Sequence, residues 1–400
     1  MIMPRILRIH NRLITGGPSL NALYLSKYLS SQFETLLVVG EKEDHEQNAY
    51  FLAEQMGIKP ILIPDMGRSI HLLKDYKAYK KIQKIIKDFK PDIVHTHSAK
   101  PGAVGRLAAS SLNIPVILHT YHGHVFHSYF GKLKTKIIIN TERFLAKKSH
   151  ALIAISDQQK NELTEDFHIA DKDKFKVIPL GFELKKFSEN PDEKRKKFRK
   201  EFNLEDDVIA IGIIGRLVPV KNHNLFLEGI NYLLNTSSKK IKAFIIGDGE
   251  TRRALENKAG QLNIPFSQDH DPNASLIFTS WRNDIDVINA GLDIIALTSL
   301  NEGTPVSLIE AQAASKPIVS TRVGGIGDIV LENETALLSN INDITSFREN
   351  LLKLVENDDL RRSFHKKGAD HVQKKFSVER LASDMSNLYY ELLDKAKFKR

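Results

Sequence analysis

Cysteine is missing from all 400 residues. Its absence excludes disulfides, thiolate metal ligands and a thiol nucleophile, and it agrees with a reducing compartment. No run of about 18 apolar residues occurs, so no segment has the length of a membrane-spanning helix. The opening "MIMPRILRIHNRLITGG" lacks the apolar block of a secretory leader, and a cytoplasmic location is the expectation. Tandem repeats and low-complexity tracts are missing too, apart from an enrichment in lysine. No basic stretch interleaves aromatics in a known nucleic-acid motif, so nucleic acid is not the expected partner.

What is present is an ordinary globular composition, 42% apolar and 27% charged, in a chain longer than one hydrophobic core usually serves. Two domains are expected. The formal charge of +9 favours anionic partners such as phosphates or acidic lipid surfaces. Basic residues are densest in "LLKDYKAYKKIQKIIKDFK" (72–90) and "GKLKTKIIINTERFLAKKSH" (131–150), both with helical apolar spacing. Such segments are either solvated outer faces of surface helices or contacts with an anionic membrane.

Short β-branched runs alternate with helix-length segments. "RILRI" (5–9), "TLLVV" (35–39), "DIVH" (92–95), "VILHTY" (116–121) and "ALIAI" (151–155) read as strands buried on both faces. So do "VIAIGIIG" (208–215), "KAFIIG" (242–247), "LDIIAL" (292–297) and "PIVS" (317–320). That rhythm predicts an α/β protein with parallel sheets. A charged stretch without a strand begins near 184, which places a hinge at 182–190, followed by a helix over 192–203. Two doubly wound domains facing each other would form a crevice where the carboxyl ends of both sheets meet. A last helix, 377–396, starts at a serine and is expected to cross back onto the first domain.

Four motifs fall at predicted strand ends. In "TGGPS", Gly16 and Gly17 lead into a helix and suit either a tight turn or a phosphate cradle at the helix N-terminus. In "GRLVPVKN", Arg216 and Lys221 offer a planar fork and a compact charge to phosphate oxygens, or are plain surface cations. In "GDGE", Gly247, Asp248 and Gly249 form a turn and Glu250 is expected to begin a helix. In "NEGTPVSLIE", Thr304 is expected to cap a helix with Pro305 first, leaving the N–H groups of Val306 and Ser307 free for an anion. Glu302 cannot favourably face that anion, since like charges repel by several kcal/mol at intermediate dielectric. It is therefore expected to accept from hydroxyls, as is Glu310 eight residues on, although Glu310 is also open to being a solvated surface residue.

Together "NEGTPVSLIEAQAASKPIVSTRVGG", "GRLVPVKN", "GDGE" and "TGGPS" resemble the retaining family 4 (group 1) glycosyltransferases, whose hallmark is two glutamates separated by seven residues. The resemblance spans nearly the whole chain. It implies a GT-B fold of two facing Rossmann-like parallel-sheet domains with an interdomain cleft: residues 1–182 on the acceptor side, 183–376 binding the nucleotide sugar, and 377–400 as the returning helix. The implied activity is transfer of a sugar from a nucleotide sugar to an acceptor hydroxyl with configuration kept, in surface-polysaccharide or lipid-linked glycan synthesis. No cofactor and no metal are implied. The resemblance puts Gly16 and Gly17 near the donor phosphates, with Arg216 and Lys221 as the cationic pair. It sets Glu302 toward the donor sugar, Glu310 toward the ribose, and His122, in "TYH", beside the transferred sugar. Arg216, Lys221 and helix amides would neutralise the departing diphosphate, which itself takes the acceptor's proton. Ser280, Ser315 and Ala336 stand where family members often carry glycine, which puts turn geometry in question rather than chemistry.

Other readings compete. His95, His97, His119, His122, His124 and His127 sit at strand ends with spacings that suit metal ligation, but nearby carboxylates to complete a centre are missing. Sugar contacts account for them more simply. "DHD" (269–271) and "DID" (284–286) read as capping or surface carboxylates. A nucleotide-sugar epimerase of the same shape would not be expected to carry the glutamate pair followed by "VGG". A non-catalytic sugar-nucleotide-binding subunit would have lost the donor cations, which are present. The expected partners are thus a nucleotide-sugar donor and a glycan or lipid-linked acceptor, with peripheral contact at an anionic membrane.

Overall fold

The computed structural model describes residues 3–14, 16–42, 49–67, 71–123, 131–269 and 271–397. The chain divides into two compact units, 1–182 with 376–400, and 183–375.

The first unit is built on seven strands: β1 (Arg5–His10), β2 (Glu34–Gly40), β3 (Ile61–Ile63), β4 (Ile93–His97), β5 (Val116–Tyr121), β6 (Ala151–Ala154) and β7 (Phe175–Val177). They lie in the order β3-β2-β1-β4-β5-β6-β7, every pair parallel. Burial on both faces explains why these runs carry apolar residues without alternation. Leu7, Ile9, Val94 and Ile117 pack one face against helices Leu72–Phe89 and Ala99–Ser111. On the other face Ile6, Ile93, Val116 and Leu118 meet Leu381, Met385, Leu388 and Tyr389 of helix Val378–Lys397. That helix is held at its start by Ser377, whose Oγ accepts from the Arg380 N–H (3.4 Å), and by the Arg380 guanidinium on the carbonyls of Pro179 and Leu180 (2.8 and 2.7 Å).

The second unit repeats the plan with β8 (Ile209–Ile214), β9 (Ile241–Ile246), β10 (Phe266–Ser267), β11 (Leu276–Ser280), β12 (Ile294–Leu297), β13 (Ile318–Thr321) and β14 (Ala336–Ser339). Their order is β10-β11-β9-β8-β12-β13-β14, again all parallel. Ile211, Ile213, Phe226, Ile230, Phe347 and Leu351 fill one side. On the other, helix Pro191–Glu201 places Phe198 5.2 Å, centroid to centroid, from Phe244. This helix starts one residue before the segment 192–203 expected from sequence.

Each sheet reverses its direction of growth beside its first strand. The chain runs from β1 to β2 on one side and places β4 on the other; β8, with β9 and β12, does the same. In doubly wound sheets the space beyond the carboxyl ends at such a reversal is where ligands bind.

Candidate active site

At the reversal point of the second unit, the loops after β8 and β12 are stitched together. The Thr298 hydroxyl donates to the Lys221 carbonyl (2.9 Å) and the Leu300 N–H to the Val220 carbonyl (2.8 Å). This sets Lys221 Nζ 2.5 Å from Glu302 Oε1, and the Ser299 hydroxyl donates to the same oxygen at 2.5 Å. The pair is largely buried, with 20% of the lysine and 11% of the glutamate side chain exposed. Two residues expected to grip different parts of a donor thus form one charged unit. Arg216, in the same loop after β8, is exposed and makes no side-chain hydrogen bond or ion pair with a described residue.

The "VGG" turn after β13 is required by the backbone of Glu302. The Gly325 N–H donates to the Glu302 carbonyl (3.1 Å). Gly324 has φ 48°, and a Cβ there would lie 1.8 Å from that carbonyl oxygen. Only glycine fits a left-handed backbone so close to another chain.

The "GDG" loop after β9 leans on the loop after β8 in the same way. Gly247 has φ 136°, and a Cβ on it would meet the Gly215 carbonyl oxygen at 2.0 Å. Asp248 accepts from the Gly249 N–H (2.8 Å), the Ser280 hydroxyl (2.7 Å) and Arg252 (3.1 Å). Burial pushes its pKa up, but those three donors outweigh it and hold the carboxyl below its ordinary value. Asp248 therefore fixes the loop. Glu250 does not begin a helix: the helix is Arg252–Gln261, with Thr251 at its N-cap and Glu250 exposed in the preceding turn. Gly249 alone separates Asp248 from that turn, and the two-residue delay lets its backbone follow Leu217.

Thr304 does not cap its helix either. The helix is Val306–Ala313, Pro305 occupies the N-cap position with ψ 106°, and no side chain caps it. Pro305, with its extended ψ, is not yet helical, so the helix starts one residue later than expected and Thr304 falls one position before the cap. Val306 and Ser307 occupy the first helical positions, whose N–H groups have no partner within a helix. Glu310, one turn on, is half-buried and not the solvated residue that sequence left open; burial pushes its pKa up to about 7, Lys186 lowering it and Asp286 raising it.

In the first unit Gly16 precedes helix Gly17–Tyr28 with φ 156° and ψ 167°, without a side-chain cap. Leu23 and Tyr24 are buried as the shared apolar face requires, with Leu20 and Tyr28 half-buried. The period-two geometry of strands puts Arg8 and His10 on one face of β1, His95 and His97 on the same face of β4, and Thr120 on that of β5. His122 follows β5 by one residue. Arg8 is fully buried and makes no ion pair with a described carboxylate. Its Nη1 lies 3.0 Å from His95 Nδ1, 3.3 Å from His97 Nε2 and 3.3 Å from the Tyr389 hydroxyl. His97 Nδ1 is 2.9 Å from His122 Nε2, and His122 Nδ1 has no partner among the described residues. Burial lowers the pKa of His122 to about 3, helped by His10, and that of His10 to about 4, helped by Arg12 and Arg8. These imidazoles are neutral.

Four of the six histidines weighed as metal ligands are therefore accounted for. His95, His97 and His122 belong to the Arg8 array, and His119 on the opposite face meets Thr96 Oγ1 at 2.9 Å. His124 and His127 lie outside the described residues, as does His270 of "DHD". Among the described residues, no group of three or more His, Asp or Glu is placed to hold a metal ion. Asp284 stands at the N-cap of helix Ile285–Gly291 and pairs with Arg282. A cavity of about 500 Å³ in the second unit is lined by Arg195, Asp293, Lys316 and His365. It lies at the amino ends of β12 and β13, bordered by Ala313, Ala314, Ser315 and Lys316 of the long motif but by none of the residues assigned to the donor.

Comparison with known proteins decides the family. The model of glycosyltransferase family 4 matches residues 15–186 and that of glycosyl transferases group 1 matches 194–371. The UDP-Gal:alpha-D-GlcNAc-diphosphoundecaprenol alpha-1,3-galactosyltransferase of Escherichia coli is 30% identical over 84% of each chain. The chain belongs to the family 4, group 1 glycosyltransferases. A glycosyltransferase from Rickettsia africae superposes with a TM-score of 0.80 at 21% identity, covering 98% of this chain and 99% of that one. HepE of Anabaena in complex with UDP gives 0.79 at 17%, covering 97% and 100%. These likenesses establish the GT-B fold.

Within this glycosyltransferase, the serines that replace family glycines keep the turns that glycine would make. Ser280 and Ser315 have φ 58° and 56°. Ser280 is compensated by its hydrogen bond to Asp248, whereas Ala336 sits in β14 and needs no such conformation. Sequence reasoning missed Ser299, Arg8 and Tyr389, and it gave His97 and Ser280 other roles, the first as a metal ligand or sugar contact and the second as a replacement for glycine. The period-two pairs Arg8/His10 and His95/His97, polar residues within otherwise apolar strands, were the available signal for Arg8 and His97.

Proposed function

We propose that this glycosyltransferase transfers a sugar from a nucleotide sugar to an acceptor hydroxyl, keeping the anomeric configuration and using no metal, in the assembly of a lipid-linked surface glycan. The observation that carries the reading is the Lys221–Glu302 unit at the reversal point of the second sheet. Its ammonium and the exposed Arg216 supply positive charge for a departing diphosphate, while Glu302 and Glu310 offer acceptors to sugar and ribose hydroxyls. The free amides of Val306 and Ser307 add their dipole to the phosphate site. In the first unit the candidates remain Gly16, Gly17 and His122, and the leaving phosphate takes the acceptor's proton.

The relatives support a uridine donor as the first to test: the E. coli enzyme is named for UDP-Gal and a diphosphoundecaprenol-linked acceptor, and HepE was crystallised with UDP. Helix Leu72–Phe89 supports a peripheral site on the cytoplasmic membrane face. Leu72, Leu73 and Tyr76 are 84, 71 and 60% exposed, and Lys74, Lys77 and Lys80 stand exposed among them, a combination suited to anionic lipid.

Incubation with UDP-hexoses and a polyprenyl-diphosphate-linked monosaccharide tests the reading. The expected product is an α-linked disaccharide, unaffected by EDTA, and the protein sediments with anionic but not neutral vesicles. A β-linkage by NMR, or activity abolished by EDTA and restored by a divalent cation, overturns the mechanism.

A further inference from the structure

We infer that Arg8 and His97 are positioning residues that hold His122 in one tautomer, with its hydrogen on Nδ1, as a hydrogen-bond donor to an oxygen of the reacting sugars. The inference rests on the reading of His122 as an active-site residue and adds what that residue does and what makes it do so.

The argument is one of polarity. A guanidinium has donors only. Arg8 Nη1 therefore donates to His97 Nε2 (3.3 Å), which must present its lone pair. A neutral imidazole that accepts at one nitrogen carries its hydrogen on the other, so His97 Nδ1 donates to His122 Nε2 (2.9 Å). His122 Nε2 is then the acceptor, and the hydrogen of His122 resides on Nδ1, the atom left without a partner among the described residues. Arg8 Nη1 also turns a donor toward His95 Nδ1 (3.0 Å) and the Tyr389 hydroxyl (3.3 Å), so His95 Nδ1 presents its lone pair, toward which the Tyr389 hydroxyl donates as well (2.6 Å). His95 Nε2 donates in turn to Thr120 Oγ1 (2.8 Å). Every tautomer in the array follows from one cation that cannot accept.

The alternatives fail on the same geometry. Protonated His97 would turn a donor against Arg8 beside a buried positive charge. With hydrogen on His122 Nε2, two donors would confront each other across 2.9 Å. Arg8 is buried without a described carboxylate; burial first, with the Arg8 charge adding to it, keeps His95 and His97 neutral, so the chain does not reverse as pH changes near neutrality. The arrangement differs from a histidine general base, whose free nitrogen carries a lone pair. Here the free nitrogen carries hydrogen, so His122 stabilises negative charge gathering on oxygen and takes no proton.

Histidine-selective ¹⁵N labelling and long-range ¹H–¹⁵N correlation distinguish the protonated from the bare nitrogen of each ring. In the full-length protein, His122, assigned by its absence in His122→Ala, is expected to show hydrogen on Nδ1 from pH 6 to 9. His97→Leu removes the link and should leave His122 in mixed tautomers, with kcat down about 10- to 100-fold and donor KM unchanged. His97→Asn restores an amide donor at the place of Nδ1 and should recover both tautomer and most of the rate. Arg8→Met repeats the His97→Leu phenotype if it folds; the two His97 variants suffice if it does not. Hydrogen on Nε2 of His122 in the wild type, or a His97→Leu tautomer identical to wild type, overturns the proposal. So does a correct tautomer combined with wild-type turnover in His122→Ala, which would make the array purely structural while leaving the transferase reading based on Lys221 and Glu302 untouched.

Discussion

Replacing Lys221 by methionine keeps the length and apolar stem of the side chain and removes its charge. Glu302 Oε1 then loses a partner at 2.5 Å and keeps the Ser299 hydroxyl. A hydrogen bond to a charged group contributes about 1.5–3 kcal/mol, and with only 11% of Glu302 exposed, water can replace little of it. For a unit of this size the melting temperature should fall by about 5 °C. Native proteins hold about 5–15 kcal/mol of stability, so the variant stays folded at 25 °C. The rate should suffer more. Removing one preorganised group that meets developing charge costs about 100- to 1000-fold in kcat, far beyond what a small unfolded fraction explains.

The assay is UDP release under saturating donor and acceptor, with Glu302→Gln and the double variant alongside. Glutamine keeps the shape and the Ser299 bond while freeing Lys221. If Lys221 serves the diphosphate directly, the losses of the two single variants combine in the double. If its task is only to orient Glu302, the double is no slower than Glu302→Gln, and the difference is the coupling energy of the pair. A Lys221→Met enzyme within threefold of wild-type kcat refutes the reasoning. A rise in KM at constant kcat would show that the lysine binds donor and transition state equally, which the argument also denies.

Three further outcomes follow from the same geometry. Glu310, with a pKa near 7, should release its proton when ribose hydroxyls bind the carboxylate, so UDP affinity measured by calorimetry should rise from pH 6 to 8 and lose that dependence in Glu310→Gln. Because the folded pKa lies above the unfolded one, this group favours the folded state below about pH 4.5 and loses that contribution as pH rises toward 7; glutamine should remove a penalty of up to about 3 kcal/mol at pH 8, read by urea unfolding. Gly247→Ala forces a Cβ to within 2.0 Å of the Gly215 carbonyl oxygen at φ 136°, so a loss of about 3 kcal/mol in unfolding free energy is expected, along with weaker UDP binding. His122, with a pKa near 3, should contribute no limb to the pH profile of kcat/KM between pH 5 and 9, and a pH-dependent step that vanishes in His122→Asn would contradict its neutral role.

The inner strands were readable because burial on both faces demands unbroken apolar runs, as in "VILHTY" and "VIAIGIIG". Apart from β11, the strands that escaped are short or at the sheet margins. β3 is three residues between Pro60 and Pro64, β10 is two residues, and β14 follows a turn whose left-handed residue is Asn333 rather than glycine. β11 lies inside the sheet, but only Leu276–Phe278 is apolar and its polar end serves the Asp248 loop. Glycine motifs located the loops after β9 and β13 because their close approaches admit no Cβ, and that constraint is visible in one sequence. Helix starts were less legible: proline at 305 suits either the first helical position or the cap, and sequence alone does not choose between them.

What sequence could not supply was pairing. Lys221 of "GRLVPVKN" and Glu302 of "NEGTP" are 81 residues apart, and only the parallel neighbours β8 and β12, with their loops tied through Thr298 and Leu300, bring them together. The first unit obeys the same logic. Arg8 and His95 are partners in register across β1 and β4, the strands at which that sheet reverses. In each unit, then, a cation withdrawn from water sits on one of the two strands flanking the reversal point or on the loop that follows it. A buried cation there is tolerable only if its environment has a task for it. In the second unit a carboxylate answers Lys221. In the first no described carboxylate answers Arg8, and the compensation is a set of imidazole lone pairs turned inward. That arrangement leaves His122 with a buried Nδ1 hydrogen that has no partner among the described residues, and a substrate oxygen is the acceptor we assign to it.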